Sequence, residues 1–264
     1  MKKFKKLIPA LCMLLVSAVM LGTTTFAWFS MNNKVTATGM TVNAKANTLY
    51  AVIAEAGDLS DGKIAEDYSK AEATYTKTGT PDLSRYPLAY NNSGNEITVG
   101  DTKVANEKFY TANSKDRNNA GNATENTGVT NGKVVEFDET DSGDFCTKYA
   151  VKYTFYLGIT RDSEKDYTGN VKAYCTLTGA DGINVRAYVK IAGATTGKYF
   201  AATTAEENAI EITTSDITLG KDGTCVKVDI YLFIDGNSEN VKTSNTAAIS
   251  GSAEFGFVLD STKF

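Results

Sequence analysis

Histidine is absent from the 264 residues. That excludes HExxH zinc proteases, Ser-His-Asp and Cys-His catalysis, and most zinc sites, all of which use an imidazole as base or ligand. Neither GxxxxGK(S/T) nor GxGxxG occurs, so nothing in the sequence supports nucleotide binding. Four cysteines are present and none forms a CxxC pair. No stretch after residue 27 shows a convincing long helical period, and none after residue 22 is apolar enough to span a membrane. A carboxylate pair is all that glycoside hydrolysis requires, but the acids here fall mostly in loops. The chain reads as a non-enzyme with no cofactor.

What is present begins with an export signal. Met1–Lys6 carries four lysines, Leu7–Gly22 is almost unbroken hydrocarbon, and small residues follow. These are the three regions of a secretory signal peptide, with Thr25 and Ala27 at the −3 and −1 positions and the cut falling between Ala27 and Trp28. An uncleaved anchor is the alternative, but the apolar run is shorter than the ~20 residues a spanning helix needs. Cys12 lies inside the apolar core after Leu11 and does not close a lipobox. Cleavage removes four lysines and no acid, leaving 23 basic against 31 acidic side chains, a net charge of −8. An acidic chain is a poor partner for nucleic acid. The C-terminus has no sortase signal, so release or non-covalent retention at the surface is expected.

Strict period-two alternation dominates the rest. Tyr149, Val151, Tyr153, Phe155, Leu157 and Ile159 share one face of a strand, with Lys152 and Thr154 on the other. The same pattern runs through Val171–Leu177, Ile183–Ile191, Val226–Ile234 and Ile249–Leu259. Such strands bury one face and wet the other, which suits antiparallel sheets. With Val35–Ala46, Leu49–Ala56, Lys133–Phe137 and Ala209–Leu219 added, about nine strands result. Many short strands in one chain predict an all-β, two-sheet antiparallel β-sandwich of jelly-roll type. Residues 57–132 read as a polar, irregular insertion with a short strand at Glu96–Val99 and a short surface helix over Ala65–Tyr75. Residues 39–264 thus form a single sandwich domain.

Candidate sites are few. Asp235, Asn237 and Glu239 begin like a calcium loop, but Asn240 and Thr246 stand where its glycine and bidentate glutamate belong, and a solvated hairpin turn is the better explanation of them. Asp138–Asp144 is a second acidic loop of the same kind. Cys175 falls on a core face, Cys225 on an outer face, and Cys146 just before a strand. An odd count leaves at least one thiol free. Tyr174, Tyr188 and Tyr231 fall on the wet faces, where they suit cross-strand pairing or stacking on sugars.

Residues 25–46, TFAWFSMNNKVTATGMTVNAKA, resemble the start of the TasA/camelysin family of exported Gram-positive proteins, whose signals are cut by an ER-type signal peptidase (SipW). The shared features are Ala27 at the cut, the aromatic Phe29, and the A-T-G-M-x-V-x-A-K strand of Ala37–Lys45. Lys108–Asp116, Tyr149–Leu157 and Tyr231–Val241 also look like relatives. The resemblance implies a jelly-roll fold and a biofilm-matrix or surface-fibre role, in which a subunit donates its N-terminal strand to a neighbour. Its partners would be further copies of itself, the signal peptidase during export, and an accessory matrix protein. Some members are called metalloproteases, from which a chain without histidine departs.

Alternation slips within this stretch. Val35 and Ala37 share one parity, and Met40, Val42, Ala44 and Ala46 the other, with Gly39 at the change as a bulge or hinge. Residues 28–38 are therefore read as an arm anchored by Trp28, Phe29, Val35 and Ala37, and Met40–Ala46 as the first strand of the body. The arm is a donor strand, an unordered terminus or an edge strand on its own body. The leading expectation is an exported structural subunit in the matrix or at the cell surface. Its alternative is a monomeric binding module, for carbohydrate or protein, using the tyrosines and the insertion.

Overall fold

The structure is a computed structural model that describes residues 35–36, 41–46, 50–76, 84–85, 87–99, 102–111, 135–137, 145–178, 184–236 and 251–264. The protein is all-β. Among the described residues the helical segments are 3-10 turns and one π-turn at Phe145–Tyr149.

Ten strands build two five-stranded sheets. In chain order they are β1 (Thr41–Ala46), β2 (Ala51–Ala54), β3 (Glu72–Thr76), β4 (Ala150–Ile159), β5 (Val171–Thr178), β6 (Val185–Ile191), β7 (Lys198–Phe200), β8 (Ile210–Glu211), β9 (Val226–Ile234) and β10 (Ser252–Leu259). Sheet I runs β7-β6-β9-β4-β2 and sheet II runs β8-β5-β10-β1-β3. Register follows from alternation. Val151 pairs with Leu232 and Tyr153 with Ile230, so apolar residues meet on the inner face. Because a slip of one residue would turn every side chain over, the buried face fixes this pairing. Val42, Ala44, Cys175, Phe255 and Phe257 of sheet II join Val151, Phe155, Val189, Val228 and Leu232 of sheet I in one buried cluster. Each large apolar side chain buried there contributes about 1.5–3 kcal/mol.

Several expectations change. Sheet II is not wholly antiparallel: β1 and β10 run parallel, with Val42 opposite Ala253 and Ala44 opposite Phe255. Period-two spacing is identical in both orientations, so alternation cannot tell them apart. The helix read over Ala65–Tyr75 is not formed. Its second half is β3, which pairs with β1 from Lys45–Glu72 to Thr41–Thr76. Ladder bonds to β1 outweigh a weak local propensity for helix. A core strand therefore lies inside the stretch read as an insertion.

Ala209–Leu219 is two strands. β8 pairs with β5, whereas Ile217–Leu219 pairs with Tyr167–Gly169. The chain leaves β5 after Ile212, whose N–H donates to the Val171 carbonyl. Two other expected strands are present over their described residues: Val135–Phe137 pairs with Phe109–Thr111, and Ile97–Val99 with Thr102–Val104. Tyr149 leaves the face shared by Val151 and Tyr153. The π-turn ends on it and sends its side chain to a second cluster.

Candidate functional site

Thr25, Ala27, Trp28, Phe29, Ala37 and Gly39 lie outside the described residues, as do Asn237, Glu239 and the 138–144 loop. Val35 is described: Val35–Thr36 pairs antiparallel with Ser84–Arg85, a two-residue ladder within the same chain. Beyond it, β1 enters sheet II between β10 and β3. Val42 and Ala44 are fully buried, as the change of parity at Gly39 predicts.

The tyrosine expectation is overturned. Tyr174, Tyr188 and Tyr231 are 7%, 1% and 2% exposed. Tyr188 and Tyr231 do occupy the outer face of sheet I, but a second cluster covers them. Leu88, Tyr90 and Phe109, from the stretch read as a polar insertion, pack there with Phe145, Tyr149 and Phe233. Phe109 is the hub, with ring centroids 5.0 Å from Phe145, 5.0 Å from Tyr188 and 5.4 Å from Phe233, all edge-on. Such pairs add about 0.5–1.5 kcal/mol beyond area burial. Tyr174, on sheet II, lies over Gly256, where a Cβ would sit 2.0 Å from its Cζ.

Asn91 ties the covering segment together. Its amide nitrogen donates to the carbonyls of Asn95, Val104 and Ala105 at 2.9, 3.1 and 2.9 Å, and its oxygen accepts from Ser93. The Leu88 N–H donates to the Ile234 carbonyl, anchoring this segment at the end of β9.

Asp235, the one described member of the calcium candidate, is used otherwise. Its Oδ2 lies 2.9 Å from Arg186 Nη2, and both side chains are mostly buried. A carboxylate already paired with a guanidinium is a poor cation ligand, and no group of three or more metal-binding side chains occurs among the described residues. The three described cysteines form no disulfide with one another. Burial pushes the Cys175 thiol far up, in keeping with a core residue. Cys225 packs on Ile64 against sheet I. Because β4 and β9 are antiparallel, with Ala150 opposite Phe233 and Leu157 opposite Val226, Cys146 and Cys225 stand at opposite ends of that pair.

The outer face of sheet I has a layered geometry. At one end Arg186, Phe233 and Ala150 align across the strands, followed by Tyr188, Tyr231 and Lys152. At the other end Ile64, on the hairpin of Leu59–Ser60 with Lys63–Ile64, covers Gly158 and Cys225. Between the two covers lies the row Lys190, Asp229, Thr154, flanked by Lys152 and Lys227. Asp229 accepts from Thr154 Oγ1 at 2.7 Å and pairs with Lys152 Nζ and Lys227 Nζ, each at 3.0 Å. Burial raises its carboxyl, but these three hydrogen bonds together outweigh that and hold it below the usual range. Lys152 also sits 5.3 Å above the Tyr231 ring. This basic strip went unassigned in the sequence, although the alternation already gives Lys152, Thr154, Lys190, Lys227 and Asp229 the outward parity. Only register brings them to one place.

No family model, no curated protein and no solved structure matches the chain.

Proposed function

We propose that the protein is a non-enzymatic structural subunit of an extracellular matrix or cell-surface fibre of the TasA/camelysin kind. In this reading the two sheets form a jelly-roll sandwich, residues 1–27 direct export, and a signal peptidase frees Trp28. The arm 28–38 then pairs with the sheet of a neighbouring copy. A strand released only at the membrane cannot polymerise before export, and sheet edges accept added strands through backbone hydrogen bonds.

One observation carries the proposal. The first described strand of the two five-stranded sheets is Thr41–Ala46, and the described segment ahead of it, Val35–Thr36, has only a two-residue ladder with Ser84–Arg85. A short ladder of that kind is weak enough to be exchanged for a neighbour's sheet edge in this reading. The competing reading, a monomeric binding module using the tyrosines and residues 57–132, has less support, because Tyr174, Tyr188 and Tyr231 are buried.

Proteins spanning residues 28–264 and 39–264 are to be compared by sizing chromatography and negative-stain microscopy. Filaments from the longer protein and monomers from the shorter are expected. Monomers from both at high concentration would remove strand donation.

A further inference from the structure

We infer that the outer edge of β3 is the place where one copy receives the arm of the next, with Lys34–Thr38 of the arm laid alongside Glu72–Thr76. This rests on the strand-donation reading and adds to it the accepting edge and the register.

Hydrogen-bond parity leaves that edge open. β3 is the last strand of sheet II and has β1 on one side only. The Ala46 N–H donates to the Ala71 carbonyl, so Ala71, Ala73 and Tyr75 turn their backbone groups toward β1. Glu72, Thr74 and Thr76 turn theirs the other way, and among the described residues no backbone group bonds to them. The side chains of Glu72 and Thr74 are exposed. The remaining edges are sealed or short. At β2 the Ile53 N–H donates to the Lys70 carbonyl, and the Ile53 carbonyl accepts from the Tyr68 hydroxyl. β7 and β8 are three and two residues long. β3 runs for five, in unbroken register with β1, without proline, lysine or bulge. Those are the devices that keep an edge from accepting a strand.

Complementarity selects the arm as occupant. Lys34 is the only charged side chain in residues 28–38, and Glu72 is the only one in β3. Setting one against the other brings Thr36 to Thr74 and Thr38 to Thr76, pairs that favour a sheet. It also brings Val35 and Ala37 to the positions of Ala73 and Tyr75, which stand opposite the buried Ala44 and Val42 of β1. The apolar parity of the arm thus continues the inner face, and its polar parity the wet one. Reach is sufficient, since residues 28–38 extend to ~36 Å and β3 needs ~17 Å. Within one chain Val35–Thr36 pairs with Ser84–Arg85 instead, which leaves the edge for the arm of another copy.

Thr74→Pro in the protein spanning residues 28–264 tests the edge, with negative-stain microscopy as the readout. The Thr74 N–H faces away from β1, so proline there removes no ladder bond of the body yet blocks an added strand. The variant is expected to keep the circular dichroism of the parent and to form no filaments. Its own arm is intact, so mixed in equal amounts with the parent it is expected to shorten the parent's filaments. Glu211→Pro, on the opposite edge of sheet II, is expected to leave filaments unchanged. Its N–H also faces outward, because that of Ile212 donates to Val171. Lys34→Glu is expected to raise the concentration needed for filaments about fivefold, and Glu72→Lys in the same chain to restore it. This charge exchange decides the matter if proline unfolds the body. Parent-like filaments from Thr74→Pro, their loss in Glu211→Pro instead, or no rescue by Glu72→Lys would overturn the accepting edge and leave strand donation standing. Monomers from the parent itself would remove strand donation, and this inference with it.

Discussion

The two outer faces of this molecule are built by the same alternation and end in opposite environments. On sheet II the outward residues include Asn43, Lys45, Glu72, Thr74, Lys172 and Glu254, all exposed or half-buried, and a single aromatic, Tyr174, that folds down over Gly256. On sheet I the corresponding positions include Tyr188, Tyr231 and Phe233, and a second apolar layer closes over them. Alternation reports only that the two faces of a strand differ. The composition of the less apolar face decides its fate. Threonine, asparagine and charge leave it solvated, whereas aromatic rings on it attract a cover, because exposing them costs more than ordering a loop across them.

That contrast is sharpest at the centre of the cover. Phe109→Ala removes the ring that touches Phe145, Tyr188 and Phe233. A loss of about 3–5 kcal/mol is expected in a denaturant titration. A cost near that of a surface residue would mean that the second layer contributes little to stability.

Asn91 is the polar counterpart. Asn91→Ala removes the amide that donates to the carbonyls of Val104 and Ala105, and a loss of about 2 kcal/mol is expected by the same measurement. A chemical-shift map should place the disturbance in residues 89–109 and leave sheet II unmoved.

Acid should act on the row between the two covers. The Asp229 carboxyl is held below its ordinary value in the folded chain. Its contribution is therefore complete above the unfolded value of ~3.9 and is lost as pH falls through the lower folded value. Asp229→Asn is expected to cost about 1 kcal/mol at neutral pH and to flatten the decline of stability below about pH 4. A decline as steep as that of the parent would place the acid-sensitive group elsewhere.

The smallest effect belongs to the bare face. Lys45 pairs with Glu254 there, both side chains being well over a quarter exposed. Lys45→Gln is expected to change stability by less than about 1 kcal/mol, and less still in high salt. A larger loss would show that this face, too, is covered in solution, as a fibre contact would require.

Much of the fold was legible because burial imposes a period of two. Val151 to Ile159 and Val226 to Ile234 announce their inner faces residue by residue, and Cys175 was placed correctly in the core by parity alone. Within the candidate sites less was legible. Asp235 looked like a calcium ligand because Arg186, forty-nine positions earlier, becomes its neighbour only through the pairing of β6 with β9. The residues 57–132 looked like a polar decoration because their few apolar side chains, Leu88, Tyr90 and Phe109 among them, are too sparse to show a period.

The sequence by itself determined the class of structure, the inner faces of the long strands from Val151 to Ile159 and from Val226 to Ile234, and the exclusion of imidazole chemistry, since each is a property of residue type and local spacing. Tertiary structure alone decided the parallel pairing of β1 with β10, the conversion of Glu72–Thr76 into a strand, the burial of Tyr188 and Tyr231, and the pairing of Lys152 and Lys227 with Asp229. Those outcomes depend on which strands become neighbours. That choice is made by long-range hydrogen bonding and by the fit of apolar surfaces, and neither leaves a mark at short range in the chain.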